Sequence, residues 1–344
     1  MSFISFAPDD AVVSSEDVTA PLWTGNAYNL SNNFNTSSAQ EISISGKSYL
    51  NVYNLPYGTV GSEVQFSIAY GNVSGSGSGL FNSLVDEKTP TRDVYGQFRN
   101  LVYGNEGDMF NFGGNNGISQ DILVINVNRS RYKQSINPGT WGITLYANGN
   151  AIQLTDDSTS ATTSAFIAGN RVYNIVSGSL GSSYNSTSVQ TVSGSYGLFL
   201  PDMGLFIFNP RALALTYPAG IGLSVDTTSG TAYSLGYNIN NSTFYRSIAS
   251  VSSNSFYAKS EETLSSTYFF VNAKSSQLNY TTNPSIADSN GSVLYPILVN
   301  NPQTFATTIG LYNDSGELLG VAKLSKPLSK DFTKQLTCRV KLQF

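Results

Sequence analysis

Apolar residues alternate with polar residues in several short segments, and this period of two constrains the fold more than any other feature. Glu63–Tyr70 and Gln335–Phe344 show it most clearly. The apolar positions are Val64, Phe66, Ile68 and Tyr70 in the first segment and Leu336, Cys338, Val340, Leu342 and Phe344 in the second. Successive side chains of a β-strand point to opposite faces, so both segments are predicted to be half-buried strands.

Two further segments point to strands in a β core. Asp121–Asn128 is almost continuously apolar, which is typical of a strand covered on both faces. Trp141–Tyr146 follows it after the Asn-Pro-Gly sequence at Asn137–Gly139, which predicts a turn.

Two hairpins are predicted from strand-like runs joined by turn-forming residues. Thr307–Tyr312 and Glu317–Leu324 flank the loop Asn-Asp-Ser-Gly. Tyr196–Leu200 and Gly204–Phe208 flank Pro-Asp-Met, in which the proline presets a turn and the following glycine tolerates positive φ.

The composition agrees with a β-rich fold. Charged residues make up 12% of the chain, against about 25% in a typical soluble domain, so long surface helices lack the residues that fill their solvent faces. A hydrophobic content of 40% is too high for a disordered chain. We expect a mostly-β fold of one or more antiparallel β-sandwich-type domains, with long loops. Only short helices are predicted, at Leu80–Glu87 and Pro210–Leu215.

The chain divides into three predicted regions. Residues 1–60 form an N-terminal arm and first strands, 61–259 a central β body, and 260–344 a C-terminal β unit in which Thr307–Phe344 packs as one module. Met1–Trp23 is predicted to be an extended arm that orders only against a neighbour. Gly71–Gly79 and Thr155–Thr163 are predicted to be exposed loops.

Charge is unevenly distributed between the two ends. No basic residue precedes Lys47, whereas six of the last 22 residues are Lys or Arg. One hypothesis is that the two ends meet across a subunit interface, where opposite charges set the register. The alternative is that both ends are solvated faces.

The residues for most enzyme chemistry are missing from the sequence. Histidine is absent, which excludes Ser-His-Asp and Cys-His catalysis and histidine metal sites. Cys338 lies on the apolar side of its strand and is predicted to be a small buried hydrophobe. We therefore predict a non-enzymatic protein with no catalytic, cofactor-binding or metal-binding residues and no cofactor.

Adjacent acidic pairs are the remaining candidates for catalysis, because glycoside hydrolysis needs two carboxyl groups about 5–10 Å apart. The pairs are Asp9-Asp10, Asp156-Asp157 and Glu261-Glu262. Neighbouring residues of a strand point to opposite faces, so no pair directs two carboxyl groups at one substrate, and each is predicted to be a turn or surface feature. A polysaccharide depolymerase built from distant acids stays an alternative.

Several classes of partner can be weighed from the sequence. A net charge of −4 gives no general attraction for nucleic acid. The chain starts without a signal-like segment and has no run of about 20 apolar residues, so we expect synthesis in the cytoplasm and no membrane insertion. The 21 tyrosines, with Trp23 and Trp141, leave an adhesin that binds cell-surface glycan as an alternative.

Two segments resemble a known family. Met1–Trp23 (MSFISFAPDDAVVSSE to APLW) and Asn300–Phe344, which contains IGLYNDSGELLGVAKLSKPL, are similar to virion structural proteins of T4-like contractile-tailed phages that infect cyanobacteria. Tyr95–Arg99 and Val124–Lys133 extend the likeness through the middle. The most specific part, Pro302–Pro327, recurs in several different virion proteins of such phages.

The resemblance implies a structural subunit of the virion, in the tail or baseplate region, without enzymatic activity. Its partners would be other virion proteins, in multiple symmetric copies. A neck protein or a capsid decoration protein would have the same sequence features, so both stay open.

Overall fold

The computed structural model describes residues 4–30, 34–37, 49–77, 90–114, 117–160, 165–183, 195–227, 239–251, 255–281, 283–300 and 302–343. Among these residues, strands account for 45% and helices for 15%. The prediction of a mostly-β, antiparallel and sandwich-like fold is confirmed. The predicted helix Leu80–Glu87 lies outside the described residues.

The strands are numbered along the chain. They are β1 (Ala11–Pro21), β2 (Tyr49–Tyr53), β3 (Val64–Asn72), β4 (Phe110–Asn111), β5 (Ile118–Ser119), β6 (Asp121–Val127), β7 (Ser135–Ile136), β8 (Gly142–Ala147), β9 (Asn150–Asp156), β10 (Ala165–Ile167), β11 (Asn170–Ser179), β12 (Ser182–Ser183), β13 (Gly197–Leu200), β14 (Leu205–Phe208), β15 (Phe256–Tyr257), β16 (Lys259–Ala273), β17 (Thr304–Tyr312), β18 (Leu318–Lys330) and β19 (Leu336–Gln343).

The helices are short apart from two. They are α1 (Pro90–Tyr103), α2 (Pro210–Leu213), α3 (Ile239–Ala249) and α4 (Pro296–Asn300). The helix predicted at Pro210–Leu215 is confirmed as α2, where the Asn209 side chain caps the first turn by accepting from the Arg211 N–H. The longer helices α1 and α3 were not predicted from the sequence.

The chain folds into two compact units. The large unit comprises residues 18–262, and the small unit combines residues 1–17 with 263–344. The predicted boundaries at residues 60 and 260 stay predictions.

The large unit contains the largest sheet of the described chain, with the strand order β15-β8-β9-β11-β13-β14-β6-β3-β2. All its neighbouring strands are antiparallel, and β6 pairs with both β14 and β3. The predicted hairpin around Pro201 is confirmed as β13 and β14, which are joined by a 3-10 turn and by Gly204 at φ +64°.

The sheet curls around an aromatic core. Trp141 packs edge-on against Phe206, with ring centroids 4.6 Å apart. Phe66 of β3 packs against Phe256 of β15 at 5.5 Å, although these strands lie near opposite ends of the strand order. Two distant strands can meet only if the sheet bends, so aromatic side chains fill the concave side.

Helix α1 covers the other face of the sheet. Its buried residues Val94, Tyr95, Phe98 and Val102 pack with Ala69, Ile122, Val124, Leu198 and Ile207. The helix approaches β3 so closely that a Cβ on Gly71 would lie 2.8 Å from the Tyr95 backbone nitrogen. A glycine is therefore required at this crossing.

The burial of β3 differs from the prediction, whereas the burial of β6 agrees with it. Glu63–Tyr70 was expected to be half-buried, but both faces of β3 are covered, and Gln65 is fully buried. The Gln65 amide donates to Thr24 Oγ1 at 2.7 Å and to the Glu63 carbonyl at 2.9 Å, which offsets its burial. The two-sided burial predicted for Asp121–Asn128 is confirmed in β6.

The small unit contains a sheet and a separate hairpin. Residues 11–17 of β1, 263–273 of β16 and the strand β19 belong to one sheet in the order β1-β16-β19, whereas β17 and β18 pair only with each other among the described strands. The predicted hairpin around the Asn-Asp-Ser-Gly loop is confirmed.

Two predictions about the chain ends need correction. The N-terminal segment is extended, as expected. It was predicted to become ordered only against a neighbouring subunit, but its strand β1 pairs with β16 of the same chain. Thr307–Phe344 is not one module, because β19 pairs with β16 over eight residues and not with the hairpin. Both corrections arise from long-range strand pairing, which local sequence patterns do not encode.

The two predicted loops begin inside strands. Gly71 and Asn72 end β3, and Thr155 and Asp156 are buried in β9. Residues 78–79 and 161–163 of these loops lie outside the described residues.

Candidate functional site

The hairpin β17–β18 exposes large apolar side chains. Val321 is 60% exposed, Leu319 69% and Leu318 52%, and Phe305 at the far end is 55% exposed. Solvent-exposed strands normally carry polar side chains on their outer face, so this cluster needs an explanation.

The register places these residues at the loop end of the hairpin. Tyr312 pairs with Leu318, and Gly310 pairs with Val321. Because a Cβ on Gly310 would meet the Tyr312 ring at 2.8 Å and Leu318 at 3.4 Å, the two side chains lie over the glycine. We call Tyr312, Leu318, Leu319 and Val321 the hairpin patch.

A two-stranded hairpin cannot bury both of its own faces. Leu311 is buried, and Ile309 and Ala322 are half-buried on one face, while the paired residues Thr308 and Lys323 are exposed. Isolated hairpins are marginally stable in water, and larger apolar patches on a surface mark interaction sites. The geometry therefore suits a surface that another molecule covers.

A buried lysine anchors the base of this hairpin. Lys330 ends β18, and its side chain is fully buried. Its Nζ donates to the Ser275 carbonyl at 3.0 Å, to Asn279 Oδ1 at 2.8 Å and to the Asp331 carbonyl at 3.0 Å. Three acceptors match the three donors of an ammonium group, so the charge joins the hairpin to the 275–279 loop.

The turn after the hairpin is fixed by Asp331. Its Oδ1 accepts from the Thr333 N–H at 2.9 Å and from Thr333 Oγ1 at 2.6 Å, and its Oδ2 lies 3.2 Å from Lys334 Nζ. These contacts, led by the Thr333 hydroxyl, lower the pKa of the Asp331 carboxyl to about 2. Two of the six basic residues near the C-terminus, Lys330 and Lys334, therefore have partners within the chain.

The charges at the two ends meet within one chain. Lys341 Nζ lies 3.1 Å from Glu16 Oε2, and the Asn272 amide donates to Asp10 Oδ1 at 3.2 Å. The bond to Glu16 raises the pKa of Lys341. Opposite charges near the two ends of the chain therefore form an ion pair within the small unit, between Lys341 and Glu16.

Two of the three acidic pairs have local structural roles. Asp10 accepts from the Ala7 N–H at 2.8 Å and closes the 3-10 turn Pro8–Asp10. Glu262 lies 3.6 Å from Lys133 Nζ, and Glu261 accepts from Ser135 Oγ at 3.4 Å. These are turn and surface contacts of the kind that the sequence predicted.

The third pair has its carboxylates directed at backbone donors. Asp156 is fully buried; its Oδ2 accepts from the Gly139 N–H at 2.8 Å and its Oδ1 from the Ser158 N–H at 2.9 Å. Burial raises the pKa of Asp156. Asp157 binds the Asn174 backbone and side-chain amides instead. The Asp156 carboxylate therefore fastens turns, whereas the Asp157 carboxylate binds strand β11.

The other residues singled out from the sequence are core residues. Cys338 is buried opposite Val271, and burial raises the pKa of its thiol, which leaves it unreactive. Trp23 packs against Phe256 at 4.8 Å, and Trp141 is fully buried. Neither tryptophan is exposed to stack on a sugar.

A shallow groove of about 390 Å³ lies beside α1 and is lined by Tyr103, Gly107, Asp108, Met109, Asn111 and Ile118. Its polar atoms have partners within the chain. The Tyr103 hydroxyl accepts from the Asn111 N–H at 3.2 Å, Asp108 Oδ2 accepts from Asn105 at 2.6 Å, and Asn111 Oδ1 accepts from the Gly113 N–H at 3.0 Å. We assign it no ligand.

The described residues contain no group of three or more Cys, Asp or Glu side chains placed to hold a metal ion. None of the helices in this part of the chain is long and apolar enough to cross a membrane.

Comparisons with known proteins gave no match. No protein-family model matches the chain, and neither a curated protein nor a solved structure is significantly similar to it. The resemblance to virion proteins therefore stays a prediction from the sequence.

Proposed function

We propose that this chain is a non-enzymatic structural subunit of a tailed-phage virion, located in the tail or baseplate region, that acts through contacts with other virion proteins. The observation that carries the proposal is the hairpin patch, whose apolar side chains are exposed on a two-stranded element. In an assembly, a neighbouring subunit would cover such a surface.

Two sequence features support the same role. The segments Met1–Trp23 and Asn300–Phe344, which resemble phage virion proteins, include β1, the hairpin and β19. The absence of histidine removes the commonest catalytic base. Among the acidic pairs, Asp156 accepts a hydrogen bond from the turn at Gly139, and Glu262 forms an ion pair with Lys133. A neck or capsid decoration protein would use the same surface and differs only in its place in the particle.

Incorporation of a hairpin variant into particles tests the proposal. In the phage that encodes this chain, Leu318→Ser with Val321→Ser should lower incorporation at least about tenfold, because full burial of a Leu or Val side chain contributes about 1.5–3 kcal/mol and about 1.4 kcal/mol corresponds to a factor of ten. The measurement is the amount of this chain in gradient-purified particles, compared by immunoblot with a major virion protein.

A matched control comes from the large unit. Val60→Ser with Phe166→Ser removes two side chains that are more exposed than Leu318 and Val321, at 97% and 67%, but lie outside the hairpin. This variant should incorporate normally, and both variants should unfold at the wild-type temperature. Equal incorporation of the two variants would contradict the role given to the hairpin patch.

A further inference from the structure

The sheet of the small unit ends in two outer strands with no further partner among the described strands. In the order β1-β16-β19, β1 lies at one edge and β19 at the other. Residues 11–17 of β1 are all exposed, and so are Thr337, Arg339, Lys341 and Gln343 of β19. Each outer edge presents backbone N–H and C=O groups that another strand can bind.

The edge of β1 lacks the usual protection against such pairing. Between Ala11 and Asp17 it contains no proline and no lysine, and Val12 and Val13 are exposed. Long exposed edges of this kind either bind a partner strand or aggregate. The pattern therefore favours a strand partner for β1.

The charges of the two outer strands indicate which strand would bind to the edge of β1. Residues 11–17 of β1 carry Glu16 and Asp17 and no positive charge, whereas β19 carries Arg339 and Lys341 and no negative charge. Two copies of β1, or two copies of β19, would bring like charges together across neighbouring strands, which is destabilising. A pair of β1 with β19 brings opposite charges together. Within one chain, Lys341 already reaches Glu16 from two strands away.

We propose that β19 of a second copy of this chain adds to the free edge of β1, so that the sheet continues from one copy into the next. The inference rests on the proposed structural role and names one neighbour of the subunit as another copy of itself. Because β1 and β19 are different surfaces, the contact is heterologous, and repetition gives a closed ring or a filament.

Charge-reversal variants of the full chain test this pairing by sedimentation velocity. The acidic-edge variant is Glu16→Lys with Asp17→Lys, and the basic-edge variant is Arg339→Glu with Lys341→Glu. Wild-type protein should form multimers at about 100 µM, and these should weaken as salt rises from about 0.1 M to about 1 M. Each variant alone should lose multimers at least about tenfold, since all its edges then carry one sign of charge.

Recombination of the variants separates edge pairing from simple unfolding. An equimolar mixture of the two variants should recover multimers, because each supplies the edge that the other lacks. A chain with all four reversals should also recover them, since it restores opposite charges both within and between copies. Asp93→Lys with Glu106→Lys makes the same change in net charge as the acidic-edge variant, on exposed residues of the large unit, and should leave the multimers unchanged.

Two results would overturn the pairing. The first is a wild-type chain that stays monomeric at about 100 µM, a concentration at which weak specific contacts are populated. The second is failure to recover multimers both in the mixture of the two variants and in the chain with all four reversals. Failure here is distinct from failure of the proposed function. A monomeric chain that is still found in particles would remove the edge pairing alone, whereas a chain absent from particles would remove the structural role in the virion.

Discussion

Lys330 is a charged residue that the fold uses in its interior. A sequence pattern assigns a lysine at a strand end to the surface, because lysine is almost never fully buried without partners. Here the partners are two backbone carbonyls and one amide oxygen. None of them carries a charge, so none is an acidic partner that would indicate a buried lysine from the sequence. The ammonium group donates to Ser275 and Asn279 of the 275–279 loop, which also accepts a hydrogen bond from Thr304 Oγ1 of the hairpin at the Leu278 carbonyl.

Replacement of Lys330 by methionine should destabilise the protein. The side chain keeps its length, but its three charge-assisted hydrogen bonds are lost, which should lower the free energy of unfolding by about 2–4 kcal/mol. Urea unfolding followed by fluorescence measures the change.

The exposed Lys323 on the same strand provides the control for this substitution. Lys323→Met should change stability by less than about 0.5 kcal/mol, as surface substitutions usually do. Equal stability of the two variants would show that the buried ammonium group does not hold the loop.

At the scale of elements, the strands could be predicted better than the helices. The strands and turns predicted at Asp121–Asn128, Pro201 and Asn313–Gly316 are confirmed because each is specified locally, by apolar runs or by turn residues. Helix α1 was missed because it contains a glycine, Gly96, and residues that favour strands, such as Val94 and Tyr95. Its signal was the apolar spacing of Val94, Phe98 and Val102 after Pro90.

Pairing partners could not be predicted from the sequence. β16 pairs with β19 across more than 60 residues, and β3 meets β15 across nearly 190. Such contacts depend on the whole core and leave no local trace in the alternation of residues. For the same reason, the exposure of the hairpin patch became visible only once it was known which strands cover which faces.

The crossing of α1 over β3 gives a test at this scale. Gly71→Ala puts a Cβ 2.8 Å from the Tyr95 nitrogen, a backbone atom, so the helix must shift and the free energy of unfolding should fall by about 1–3 kcal/mol. Thermal or urea unfolding measures it.

Gly96 lies within α1 itself and provides the matched glycine. A Cβ there has open space around it, so Gly96→Ala should stabilise the protein by about 0.5–1 kcal/mol. If the two alanine variants shifted stability in the same direction, the close packing of α1 on β3 would be contradicted.

At the scale of the molecule, the two units differ in how far their apolar side chains are buried. The large unit encloses an aromatic core and covers both faces of its sheet. The small unit has exposed apolar side chains on its hairpin, and the outer strands of its sheet have no further partner among the described strands. This contrast is what a subunit would show if one part were a stable body and the other part were completed by neighbours.

Immunogold labelling of phage particles is the most direct test of the central claim. Antibody against this chain should label the tail end of the particles, either on intact particles or, if neighbouring subunits cover the chain, after mild disruption. Label over the head would contradict the tail or baseplate position, and absence of label from both intact and disrupted particles would contradict a structural role in the virion.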